Sequence, residues 1–89
     1  MKKTEVIEKL KKIIAKSMEL ESDGNEIEGS DLILELGINS VDALEILIWV
    51  ENEFGIQIED EDLNADLITS LDNLSNYVLS KMEDMKKSN

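Results

Sequence analysis

The chain has 89 residues, 21 of them Asp or Glu against 9 Lys, and a formal net charge of −12. It contains no Cys, His or Pro, which excludes disulfide scaffolds, thiolate nucleophiles, Cys/His zinc sites and imidazole acid–base chemistry. Its length fits one domain over residues 1–89, with 42% hydrophobic content enough for a single core without metals or disulfides.

From Thr4 to about Leu20, the residues Val6, Ile7, Leu10, Ile13, Ile14 and Met18 recur at spacings of three and four. This predicts a helix with one buried face, and lysines 9, 11, 12 and 16 occupy much of the other. From Glu21 to Glu26 there is no periodicity, so a long loop begins there. It continues through Ile27, Leu32, Ile33 and Leu36 to Gly37, its apolar residues tucked against the core. The second predicted helix runs from about Ser40 to Phe54, and a short helical or irregular third piece covers Glu61 to Leu67. The alternating run Gly55-Ile56-Gln57-Ile58 lacks a partner strand and reads as a loop. The last helix spans about Leu71 to Met85, with Leu71, Leu74, Val78, Met82 and Met85 as its stripe and Ser70 as its N-cap. Lys81, Lys86 and Lys87 suit its C-terminal dipole. The predicted fold is all-α, a small four-helix bundle with a long first loop and a short third helix. Residues 4–85 are expected to be ordered and 86–89 to form a frayed tail.

The second helix is apolar on too many faces for an ordinary core helix. Placing Leu44, Leu47, Val50 and Phe54 inward leaves Val41 and Ile48 on another flank, with Glu45 between them and Glu51 and Asn52 beside them. Either the long loop covers this acid-framed strip or it is a docking surface. At the start of the helix, Gly37-Ile38-Asn39-Ser40 sets a serine in the first turn, where free N–H groups and the helix dipole favour an anion such as a phosphodiester. Capping is the commoner role in such a setting, with Asn39 or Ser40 as N-cap and Asp42 completing a capping box.

The segment Glu35-Leu36-Gly37-Ile38-Asn39-Ser40-Val41-Asp42-Ala43-Leu44-Glu45, followed by Glu51-Asn52-Glu53-Phe54-Gly55-Ile56-Gln57-Ile58, resembles the acyl carrier protein family. The similarity covers essentially the whole chain. It includes the amphipathic first helix, the long loop, the acidic stretch from Glu59 to Asp62 and the Leu-Asp-Asn-Leu-Ser-Asn-Tyr-Val start of the last helix.

The resemblance implies that Ser40 accepts 4′-phosphopantetheine from coenzyme A. A separate Mg²⁺-dependent phosphopantetheinyl transferase would supply the catalysis, since no base in the sequence activates the serine. The chain would be a non-catalytic carrier that holds acyl groups as thioesters on the thiol of the arm, for fatty-acid, polyketide or related biosynthesis. By the same match Val41, Asp42, Glu45, Ile48, Glu51 and Asn52 fall on the face that carriers present to basic patches of partner enzymes. Those partners are the transferase, an acyl-loading enzyme and a ketosynthase or other acyl-processing enzyme. Asp42 is equally well read as a solvated charge.

The sequence departs from the family pattern at Asn39 (usually Asp), Val41 (usually Leu), Glu59 (usually Pro) and Trp49 (often small). These departures point away from a housekeeping fatty-acid carrier and towards a specialised pathway. Asp42 and Glu45 favour acyl cargo over the aminoacyl cargo of a peptidyl carrier, which stays open as an alternative. A calcium-binding protein is the main reading from another class, because Asp60, Asp62, Asn64 and Asp66 alternate like ligands, and an adaptor that uses the second helix without modification is a third. The EF-hand pattern fails at Ala65, where glycine is needed, and at Leu71, where a bidentate Glu is required. No metal site is assigned. The acid surplus repels nucleic acid and anionic lipid, and no apolar run approaches the ~20 residues that span a bilayer. The expectation is therefore a cytoplasmic monomer.

Overall fold

A computed structural model describes residues 1–87 and contains four α-helices: α1 (Lys3–Ser17), α2 (Leu32–Leu36), α3 (Ser40–Phe54) and α4 (Leu71–Lys87). Two 3₁₀ turns, Asp60–Asp62 and Ala65–Ile68, stand where the short third helix was expected. The all-helical expectation holds, and α1 packs against both α3 and α4, with the second 3₁₀ turn wedged against α2, α3 and α4.

The periodicity that carried α1 to Leu20 overruns its end by three residues. Glu19 adopts a left-handed conformation with φ 55°, and the Leu20 N–H reaches back to the Ala15 carbonyl at 2.8 Å, closing the helix as a Schellman-type turn. Met18 and Leu20 still pack on the core from beyond the helix.

The long loop is more ordered than its composition predicts. Asp31 accepts the Leu34 N–H at 3.1 Å and caps α2, a single helical turn absent from the sequence reading. Of the four loop residues expected against the core, Ile27 and Leu32 are buried, while Ile33 and Leu36 are half-buried. Gly29 seats the loop on α4: its φ is +84°, and a Cβ there would collide with the Leu71 side chain. Backbone bonds join Leu71 N–H to the Gly29 carbonyl and Leu32 N–H to the Thr69 carbonyl, both at 2.8 Å.

Ser70 caps α4 as expected, its Oγ accepting the Asn73 N–H at 3.0 Å. The helix continues through Lys86 and Lys87, two residues assigned to a frayed tail, while residues 88 and 89 lie outside the described ones. One apolar core joins all four helices and the connecting segment, with Leu10, Ile14, Leu32, Ile46, Leu47, Ile58, Ile68 and Leu74 fully buried.

Candidate functional site

The polypeptide approaches α3 through a fixed bend. The Glu35 carboxylate accepts the N–H groups of Glu28 and Gly29 at 2.8 and 2.9 Å, folding the loop onto α2. Gly37 then ends α2 in the left-handed region at φ 64°, and Ile38 drops into the core. Asn39 and Asp42 form a reciprocal capping box: Asn39 Oδ1 accepts the Asp42 N–H at 2.8 Å, and Asp42 Oδ2 accepts the Asn39 N–H at 3.3 Å. With Asn39 as the cap, Ser40 is the first helical residue and has no capping duty.

The Ser40 side chain is exposed, and its hydroxyl makes no hydrogen bond to another described residue. The N–H groups of Ser40 and Val41 are the first two of the helix and have no i−4 carbonyl within it. The turn therefore presents a free hydroxyl beside two backbone donors at the positive end of a helix of 15 residues.

Beyond Ser40, α3 buries Ala43, Ile46, Leu47 and Val50. This corrects the inward face drawn from the sequence, since Leu44 points outward at 42% exposure. It joins Val41 (72%) and Ile48 (46%) in one apolar strip. The signal for Leu44 lies in its spacing, three residues after Val41 and four before Ile48, which groups it with them on one face. The long loop does not cover this strip. Glu45 and Asn52 are exposed alongside it.

Two acids on α3 have work within the fold. Asp42 is committed to the capping box, and Glu51 Oε2 accepts the Ile58 N–H at 2.8 Å. That bond ties the Gly55–Ile58 loop to the last turns of the helix. Trp49, at 40% exposure, faces α1, where the Lys16 ammonium lies 5.4 Å from the ring centroid.

Asp62, Asn64 and Asp66, three of the four alternating residues, line one open pocket, where two of them are engaged by neighbouring groups. Asp62 accepts the Tyr77 hydroxyl at 2.9 Å, and Asn64 Oδ1 accepts the Asp66 N–H at 2.9 Å. Among the described residues no group of three or more acidic side chains is arranged to hold a metal ion. No described helix is long and apolar enough to cross a membrane.

The described residues thus form a small all-helical bundle whose α3 starts at a separately capped, exposed serine and carries an acid-flanked apolar strip. The family described as a phosphopantetheine attachment site matches residues 8–78. Relatives include a mitochondrial acyl carrier protein of Neurospora crassa, 32% identical over 91% of this chain and 59% of its own length. A chloroplastic acyl carrier protein 2 of Hordeum vulgare is 33% identical over 85% of this chain and 57% of its own. An acyl carrier protein of Clostridium acetobutylicum is 33% identical over 89% of this chain and 99% of its own. The chain thus belongs to the acyl carrier protein family, whose prosthetic group is a covalently attached 4′-phosphopantetheine. It spans a little under three fifths of the length of the Neurospora and barley relatives and nearly all of the clostridial one.

Proposed function

We propose that Ser40 is the attachment point and that the protein shuttles acyl groups between enzymes without catalysing any step itself. The observation that carries this reading is the division of labour at the start of α3: Asn39 does the capping, which frees the exposed Ser40 hydroxyl for modification. In the modification the Ser40 Oγ forms a bond to the phosphorus bearing the pantetheine of coenzyme A. The pyrophosphate bond breaks, and 3′,5′-adenosine bisphosphate leaves. Among the described residues no basic group stands hydrogen-bonded to Ser40, so the hydroxyl proton passes to a base of a Mg²⁺-dependent transferase. The N–H groups of Ser40 and Val41 are suited to face the resulting phosphodiester. When bound, the group supplies a terminal thiol on which acyl chains are held as thioesters.

The outer face of α3 is the docking surface for the transferase and for the loading and acyl-processing enzymes, ketosynthases among them. Val41, Leu44 and Ile48 give apolar contact, and Glu45 gives the charge that pairs with a basic patch, with Asn52 beside it. Asp42 and Glu51 act on this surface chiefly by holding its backbone. Such pairing sets encounter rate and orientation more than affinity, which suits a shuttle that must release each partner. The cargo is the intermediate of a specialised fatty-acid, polyketide or related pathway in an aqueous compartment such as the cytoplasm, and the carrier works as a monomer.

The test is intact-mass measurement after incubation with coenzyme A, Mg²⁺ and a broad-specificity phosphopantetheinyl transferase. One phosphopantetheine adduct is expected, and Ser40→Ala should carry none. An unmodified wild-type chain, or an adduct that persists in Ser40→Ala, would sink the assignment.

A further inference from the structure

The lysines are not spread evenly over this acidic protein. Residues 1–18 hold six Lys against two Glu, whereas residues 19–85 hold 19 acids and a single Lys. Lys9, Lys12 and Lys16, at spacings of three and four, fall on one face of α1. With Ile13, Trp49 and Glu53 they line an open groove of about 330 Å³ between α1 and α3.

The groove is amphipathic in a specific way. Ile13 is buried beneath it and Trp49 is partly exposed within it. Lys16 lies over the indole, and Lys9 pairs with Glu53 across a loose 3.7 Å contact between two well-exposed side chains. Lys12 is exposed and has no ion-pair partner among the described residues. The groove thus has an aromatic wall, a positive rim and one acid. Trp49 is also a departure from the small residue common at this position in the carrier pattern, and nothing in the attachment chemistry at Ser40 uses it. The two stand nine positions apart, about 13.5 Å along the helix axis.

We propose that this groove is a second docking surface, which receives an acidic segment of a partner protein with an apolar side chain as its anchor. Charge complementarity selects that occupant. A basic patch, the natural counterpart of the outer face of α3, would meet three ammonium groups here. The −12 net charge does not forbid an acidic visitor, because at physiological salt the Debye length is ~8 Å and the nearby lysines dominate the distant acids. A concave groove suits a peptide segment better than a planar anionic membrane. The surface is independent of the attachment reading, since none of its residues is used at Ser40.

Trp49 is the only tryptophan, so its emission reports on the groove directly. The probe is a Trp-free synthetic peptide of alternating acidic and Leu or Phe residues, titrated into the full chain. A saturable change in Trp49 emission is expected, with Kd rising at least about tenfold between roughly 20 and 200 mM NaCl. The double variant Lys12→Gln/Lys16→Gln should weaken binding at least about fivefold. The control Thr4→Glu/Ser80→Glu has the same change in net charge at exposed positions away from the groove and should bind like wild type. The absence of a saturable response, equal weakening in both double variants, or an equal response to a basic peptide would each overturn the proposal. So would a response to phosphatidylglycerol vesicles without one to the peptide, or a concentration-dependent shift without any peptide, which would assign the groove to a membrane or to a second copy.

Discussion

Glu45 and Glu51 lie six residues apart on α3 and both suggest docking charges by sequence, yet they have different physical duties. The Glu51 carboxylate accepts the buried-loop N–H of Ile58 at 2.8 Å, and a hydrogen bond to a charged group contributes about 1.5–3 kcal/mol. Glu45 is exposed and makes no hydrogen bond or ion pair within the described residues. Glu51→Ala is therefore expected to lower the urea midpoint by an amount equivalent to about 1–2 kcal/mol. Glu45→Lys should leave the midpoint within ~0.5 kcal/mol of wild type and slow phosphopantetheinylation several-fold at low salt, with the difference shrinking as salt rises. Equal modification rates for wild type and Glu45→Lys at low salt would remove Glu45 from the docking face. The capping box makes a second residue-scale prediction. Asn39→Ala deletes the acceptor for the Asp42 N–H and should cost about 1 kcal/mol in thermal or urea unfolding, while an unchanged midpoint would mean that Ser40 takes over the cap. The capping pair itself was legible in the sequence because both partners sit at fixed offsets from one glycine bend. The job of Glu51 was not, since its partner, Ile58, lies in a loop whose path no local pattern specifies.

At the scale of elements, legibility follows the strength of the stop signals. The bounds of α3 match those read from the sequence because Asn39 and Asp42 fix one end, and Gly55, at φ 63°, fixes the other. α1 overran because its stop is Glu19, a residue that rarely adopts a left-handed backbone. The inward face of α3 is less legible because apolar residues lie on most sides of the helix, so Leu44 groups as readily with Leu47 inward as with Val41 and Ile48 outward. The short α2 escaped notice because one turn gives too few residues for a period.

The acidic connection after α3 illustrates how elements without strong propensity are held. Tyr77 donates its hydroxyl to Asp62 at 2.9 Å, and Lys81 donates to Glu59 at 3.2 Å, so α4 grips the first 3₁₀ turn from one face. Burial, and then the bond to Asp62, push the Tyr77 hydroxyl above the usual tyrosine pKa of 10.0. The Glu59 carboxylate likewise raises Lys81 above its ordinary value. In both cases the folded state holds the proton more tightly than the unfolded state does. Their stabilisation is complete below the unfolded values and is lost as pH rises through the raised folded ones. Urea midpoints measured between about pH 9 and 11 should fall more steeply for wild type than for Tyr77→Phe. Tyr77 is the only tyrosine, so tyrosinate absorbance in the native protein should titrate above the value for the urea-unfolded chain. Matching titration curves would refute the grip.

Across the whole molecule, the dominant electrostatic fact is an excess of 12 negative charges within extents of 40 × 26 × 20 Å. Three described ion pairs, Lys3–Asp72, Lys9–Glu53 and Lys81–Glu59, offset this repulsion. The first two join side chains exposed by two fifths or more, and pairs of that kind are worth ~0–1 kcal/mol each. The Debye length decides which effect wins. At ~10 mM salt it is ~30 Å, comparable to the molecule, so nearly every acid repels every other; at ~0.1 M it is ~10 Å, and only neighbours interact. Unfolding moves the acids apart and relieves the repulsion, so the folded state gains more from screening than the unfolded one. The melting temperature is therefore expected to rise by several degrees as NaCl increases from about 10 to 100 mM, and to change little over the next doubling. A melting temperature that falls over the same range would mean that the ion pairs, and not the net charge, govern stability. The same screening must weaken docking at Glu45, so conditions that stabilise the carrier most are those in which it engages basic partners least. Measuring Tm and modification rate in one salt series tests that opposition directly. If the two rise together with salt, long-range charge does not control both the stability of the fold and the approach of its partners.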